Sequence, residues 1–136
     1  MSVGLVIVSH SSRLAEGVAE LAGQMAQGKV GIAAAGGTAE GELGTSVDKI
    51  IAALRQVDSH DGMLVLLDLG SAVMATEMAV EAFAVTSAHP VMISSAPLVE
   101  GAVIAAVEAS IGNSLAEVAE AAASTITLPK VTARHA

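Results

Sequence analysis

Runs of consecutive apolar residues alternate along this chain with segments in which apolar residues recur every three or four positions. Residues 3–8 are apolar throughout and close at Ser9-His10, which predicts a buried strand. Residues 12–26 then place Leu14, Val18, Leu21, Ala22 and Met25 at helical spacing. Residues 30–34 read as a second short strand, followed by a loop, residues 36–44, with four glycines in nine positions. Thr45 is placed to cap a second helix whose inner stripe is Val47, Ile50, Ile51 and Leu54. Residues 63–67 form the most apolar strand and end at Asp68. After Gly70-Ser71 a helix runs to about residue 85, apolar around most of its girth apart from Glu77 and Glu81. A fourth strand over residues 91–93 follows Pro90, and a helix over about residues 99–110 follows Pro97. Gly112-Asn113 interrupts it, and Ser114 with Glu117 predicts a capping box on a last helix. Residues 125–136 read as a tail or a short edge strand, which leaves residues 1–124 as the domain proper.

Strands alternating with helices of roughly 10–15 residues imply right-handed βαβ units. The expected fold is therefore α/β: an open, mostly parallel sheet of four strands in the order 2-1-3-4, with helices on both faces and a possible extra edge strand. In that order the chain winds in opposite directions from strand 1, and a crevice opens between the carboxyl ends of strands 1 and 3. Those ends carry His10 and Asp68, 58 positions apart in sequence.

Composition narrows the function. At 136 residues the chain fits one domain. It is 53% hydrophobic with a mean hydropathy of +0.67, yet no apolar stretch approaches the ~20 residues of a membrane span. The N-terminus has no basic segment of the secretory type, so the expectation is a soluble, cytoplasmic protein. Cysteine is absent, which removes disulfides and thiol catalysis. A net charge of −8 argues against nucleic acid, and Phe83 as the sole aromatic residue argues against gripping a sugar or base by stacking. The aliphatic excess exceeds what one small domain can bury, which predicts a homodimer.

A histidine beside a carboxylate suits a covalent phosphate carrier. The carboxylate holds one ring N–H and leaves the other nitrogen free to attack a phosphoryl group. With Asp68 expected to hold Nδ1, the nucleophile is Nε2. The phosphoryl oxygens then need donors, and two helix starts supply them: amides and hydroxyls at Ser11 and Ser12, and at Gly70 and Ser71. Arg13 is either a solvated first-turn residue or a contact to phosphate or partner. The glycine loop is either a plain connection or a rim of the site, with Thr38 as its candidate contact. Asp68 is also placed to cap the helix after Gly70. Met74 and Met78, one helical turn apart, read as core or dimer interface. His60 and His89 fall at strand amino ends, away from the crevice, and His135 lies in the tail. Neither a dinucleotide fingerprint nor a P-loop is present. A response-regulator receiver would need an acidic cluster after strand 1, which is missing.

Four segments carry a resemblance: residues 5–14 around Ser9-His10-Ser11-Ser12-Arg13, Gly44-Thr45, residues 65–72 around Asp68-Leu69-Gly70-Ser71, and residues 96–101 beginning Ala96-Pro97-Leu98. They resemble the phosphotransfer subunits of phosphoenolpyruvate-dependent dihydroxyacetone kinases, which are similar to the enzyme IIA domains of the mannose-type phosphotransferase system. The resemblance implies that residues 1–124 are an enzyme IIA-like phosphocarrier domain with His10 phosphorylated and Asp68 orienting it. It implies phosphate arriving from the phosphocarrier HPr and passing to ADP held in the nucleotide-binding kinase subunit, with dihydroxyacetone phosphorylated on a third subunit. It implies a homodimer, and no cofactor or metal bound by this chain. A mannose-type sugar enzyme IIA remains an alternative, as does a small tetrapyrrole metal chelatase, which needs a second histidine at the crevice. A non-catalytic dimeric binding module is the remaining one.

Overall fold

The structure, a computed structural model, describes residues 2–131. Four parallel strands, β1 (Gly4–Ser9), β2 (Ile32–Gly36), β3 (Met63–Leu67) and β4 (Val91–Ser94), form one sheet in the order β2-β1-β3-β4. The helices are α1 (Ser12–Met25), α2 (Val47–Gln56), α3 (Val73–Ala84), α4 (Leu98–Ser110) and α5 (Leu115–Ser124), with short 3-10 turns at Gly70–Ala72 and Thr125–Thr127. The predicted class, order and element count are borne out.

Both faces of the central strands are covered, which explains their unbroken apolar runs. Leu5, Ile7, Leu64 and Leu66 point to a layer built by α1, α4 and α5, while Val6, Val8, Val65 and Leu67 point to one built by α2 and α3. Alternate side chains of a strand face opposite ways, so one run of sequence feeds two cores.

Boundaries and faces differ from expectation in three places. The second strand lies at Ile32–Gly36 rather than at residues 30–34, because its ladder pairs Leu5 with Ile32 and Ser9 with Gly36. The second helix is capped by Ser46, whose hydroxyl accepts from the Lys49 N–H at 3.2 Å, not by Thr45. On α1 the buried residues are Ala15, Val18 and Ala22, whereas Leu14, Leu21 and Met25 are about half exposed. Small side chains face inward there because α4 meets α1 with its own alanines, Ala102, Ala105, Ala106 and Ala109, at close approach. Met74 and Met78 are exposed on α3 and belong to neither core. The capping box at Ser114 and Glu117 forms as predicted, with both reciprocal hydrogen bonds present.

In residues 125–131 the chain makes a 3-10 turn and no strand. An ion pair between Lys130 and Glu100 ties this segment to the start of α4. The remainder of the expected tail, residues 132–136 with His135, lies outside the described residues.

Candidate phosphoryl-transfer site

The parallel register of β1 and β3 aligns Val8 with Leu67, and the Asp68 N–H continues the ladder by donating to the Val8 carbonyl at 3.1 Å. The next residue of each strand therefore emerges at the carboxyl rim beside the other. His10 Nδ1 lies 3.0 Å from Asp68 Oδ1 and 3.2 Å from Oδ2. His10 Nε2 lies 3.0 Å from the Ser71 hydroxyl. A carboxylate only accepts, so Nδ1 carries the proton, and Nε2 offers its lone pair to the Ser71 O–H. The His10 side chain is 27% exposed and that of Asp68 10%, so the ring reaches solvent while its anchor is screened.

Asp68 is held from several sides. Its Oδ2 accepts from the Ser9 hydroxyl at 3.0 Å and from the His10 N–H at 2.9 Å, and its Oδ1 accepts from the Leu69 N–H at 2.8 Å. Burial pushes the Asp68 carboxyl up, but the hydrogen bonds from the His10 N–H, the His10 ring and Ser9 together outweigh it and hold the group below the usual aspartate range. Asp68 is thus an anion at neutral pH. It turns the chain at Leu69 rather than capping the following helix, since the 3-10 turn there has no side-chain cap.

The expected phosphate donors separate into two groups. Gly70 and Ser71 open the 3-10 turn that leads into α3, and Ser12 opens α1, so their N–H groups precede the first intrahelical acceptors. Ser11 is committed to the fold: its hydroxyl accepts from the Leu14 N–H at 3.2 Å, and its own N–H donates to the Ser9 hydroxyl at 3.0 Å. Arg13 is exposed on the first turn of α1, and no carboxylate among the described residues pairs with it.

The glycine loop does rim the site. The Gly44 N–H donates to the His10 carbonyl at 2.8 Å, and the Gly37 N–H donates to that of Ser9 at 3.1 Å. Thr38 braces the loop internally, its hydroxyl accepting from the Glu42 N–H at 3.1 Å. Two residues that sequence reasoning passed over are essential to this geometry. Ser9 reads as the last polar residue of a strand, and nothing in its local pattern signals the hydroxyl's contacts. Gly36 reads as one loop glycine among four, yet a Cβ there would stand 2.6 Å from the Ser11 carbonyl oxygen and the Ser12 Cα. Only glycine lets β2 approach the start of α1 so closely.

A cavity of ≈ 420 Å³ opens on the far side of Asp68, lined by Leu69, Val73, Glu77, Ile93 and Ser95 among others. His89 and His60 lie at the amino ends of the strands, as expected. There His89 Nδ1 meets Asp58 Oδ1 at 2.7 Å, and the His60 and His89 rings meet at a tilt of 58° with centroids 4.4 Å apart. The second histidine a chelatase would need is therefore not at the crevice; Asp68 stands there instead. Among the described residues no helix is long and apolar enough to cross a membrane.

Comparison with known proteins places the chain in a family. The EIIA-man family model, described as PTS system fructose IIA component, matches residues 4–119. The PEP-dependent dihydroxyacetone kinase phosphoryl donor subunit DhaM of Escherichia coli K12 is 44% identical over 119 residues, which is 85% of this chain and 25% of that protein. The chain spans only 25–28% of the length of this and three other DhaM relatives. A shorter relative, the phosphoryl donor subunit DhaM of the dihydroxyacetone kinase 2 of Listeria innocua, is 34% identical, with 82% of this chain aligned to 90% of that one. Among solved structures, the crystal structure of a protein of unknown function, EF1359, superposes with a TM-score of 0.76 at 34% identity, covering 91% of this chain and 95% of its own. The chain belongs to the EIIA-man family, and to the DhaM group within it.

Proposed function

We propose that this chain is a phosphohistidine carrier that takes a phosphoryl group from HPr and passes it to ADP bound in the nucleotide-binding subunit of a dihydroxyacetone kinase. The observation that carries the proposal is the division of labour on one ring: Nδ1–H is held by an anionic Asp68 while Nε2 faces the open rim. The names of the E. coli and Listeria relatives, phosphoryl donor subunits of such kinases, supply the substrate class.

Nε2 attacks phosphorus in line as the donor's P–N bond breaks, so one P–N bond forms for each one lost. The ring becomes an imidazolium carrying the phosphoryl group, and Asp68 stabilises its charge through Nδ1–H. Ser71 must release Nε2 in this step; its O–H then turns to a phosphoryl oxygen, beside the amides of Gly70, Ser71 and Ser12. Ser11 adds at most its hydroxyl proton, and Arg13 contacts the phosphoryl group or the docked partner. In discharge the same events run backwards toward the terminal phosphate oxygen of ADP. No nucleotide pocket is needed on this chain, because the nucleotide belongs to the partner.

In this reading residues 1–124 are the carrier domain and residues 125–136 a tail. The protein is a cytoplasmic homodimer with HPr and the two kinase subunits as partners. A mannose-type sugar enzyme IIA would use the same site and differ only in its acceptor. The test incubates the protein with phosphoenolpyruvate, enzyme I and HPr and assays acid-labile, base-stable phosphate. His10→Ala should take up none and Asp68→Ala should charge slowly; full uptake by His10→Ala ends the proposal. Discharge by the ADP-loaded kinase subunit, and not by mannose permease components, selects the dihydroxyacetone system.

A further inference from the structure

We infer that Ser9 is a positioning residue of the phosphoryl site, whose hydroxyl clamps the Asp68 carboxylate to the start of α1 and tempers its pull on the His10 ring. The inference rests on the carrier reading above and extends it to a residue that touches neither phosphate nor imidazole nitrogen.

Ser9 is the last residue of β1 and fully buried. Its Oγ donates to Asp68 Oδ2 at 3.0 Å and accepts from the Ser11 N–H at 3.0 Å. One hydroxyl thus joins three elements: the end of β1, the residue after β3 and the cap of α1. The remaining donors to Asp68, apart from the ring itself, are the backbone N–H groups of His10 and Leu69. Backbone donors survive any substitution except proline. Ser9 is therefore, among the described residues, the one side chain other than His10 that donates a hydrogen bond to Asp68.

That basicity decides how the carrier is poised. Every donor to a carboxylate spreads its charge and weakens its hold on the remaining proton. Without the Ser9 O–H, Asp68 would draw harder on Nδ1–H, and the phosphoimidazolium, a cation facing that anion, would be stabilised. Charging would be favoured and discharge slowed, whereas a carrier has to do both at the same nitrogen. The other titratable groups near the carboxylate are His10 on one side and Glu77, across the cavity it shares with Asp68, on the other. Ser94, Ser95 and Ala96 complete that wall and do not titrate in this range.

The experiment compares Ser9→Ala, Ser9→Cys and Ser9→Thr in the full chain, with Glu77→Gln as a control on the nearby charge. Each is charged from phosphoenolpyruvate through enzyme I and HPr, then discharged to the ADP-loaded kinase subunit. The carboxyl carbon of Asp68 is titrated by NMR. Loss of one hydrogen bond predicts a discharge rate about three- to tenfold lower in Ser9→Ala. The Asp68 titration should move to higher pH, and charging at His10 should persist. Ser9→Thr, which keeps the hydroxyl, should restore both readouts. Ser9→Cys, similar in size but a weak donor, should behave like Ser9→Ala and stands in for it if alanine unfolds the junction. An unmoved Asp68 titration in both Ser9→Ala and Ser9→Cys overturns the inference, whatever the rates. So does a Ser9→Thr protein that fails to restore them. Phosphate uptake by His10→Ala would defeat the carrier reading instead, and the Ser9 effect on the Asp68 titration would still be measurable.

Discussion

Asp68 accepts hydrogen bonds from the Ser9 hydroxyl, the His10 N–H, the His10 ring and the Leu69 N–H, and its carboxyl is held below the ordinary aspartate range. A carboxyl whose pKa is depressed by folding contributes stability that is fully present above its unfolded pKa, about 3.9, and lost as pH falls through the lower folded value. The thermal midpoint of the wild-type protein should therefore drop on acidification below about pH 4, and Asp68→Asn should flatten the fall over that window. Thermal denaturation followed by circular dichroism across that range checks this; an equally steep fall in the variant would contradict it. Of the site, His10, Asp68 and the Gly70-Ser71 pair were legible, because strand ends and helix starts are local signals. Ser9 was not, since a hydroxyl's partners lie on another strand. Nor was the commitment of the Ser11 N–H to the Ser9 hydroxyl and of its Oγ to the Leu14 N–H.

At the scale of elements, α3 contains a mismatch between pattern and packing. Thr76 is fully buried, and its hydroxyl has no hydrogen-bond partner among the described residues. Replacing it with the near-isosteric valine removes the desolvation cost of that hydroxyl without opening a cavity. Thr76→Val is expected to gain about 1 kcal/mol, or about 4 °C in Tm, in denaturation experiments. A loss of stability would mean that the hydroxyl is satisfied after all. The existence and type of every helix and strand could be read from periodicity, but their inner faces could not always be. On α1 the large residues Leu14, Leu21 and Met25 stay half exposed, while the sheet and α4 take up the smaller Ala15, Val18 and Ala22. Hydrophobicity ranks leucine above alanine for burial, whereas close helix–helix contact inverts the order. The second strand began two residues later than its sequence indicated, because alanine-rich segments carry little strand signal and ladder register set the boundary.

For the whole molecule, the outer face of α3 leaves Met74, Met78 and Val85 at 74%, 54% and 84% exposure, a patch that water covers poorly. The homodimer proposed above should bury part of it. Sedimentation velocity should report the mass of two chains, and Met78→Glu with Val85→Glu should reduce it to one while leaving His10 able to accept phosphate. A wild-type protein that sediments as a single chain would remove the dimer from the proposal. The observed sheet order and the crevice between β1 and β3 match the doubly-wound arrangement expected from the alternation of strands and helices. The sequence by itself determined the fold class, the strand order and the pair of residues at the crevice, because these depend on short-range periodicity and on a handedness common to all L-chains. Tertiary structure alone decided which faces are buried, that the glycine loop is pinned to the His10 carbonyl, and that Ser9 and Ser71 complete the contacts of Asp68 and Nε2. Those outcomes depend on ångström-scale distances between segments far apart in the chain, and no local pattern encodes them.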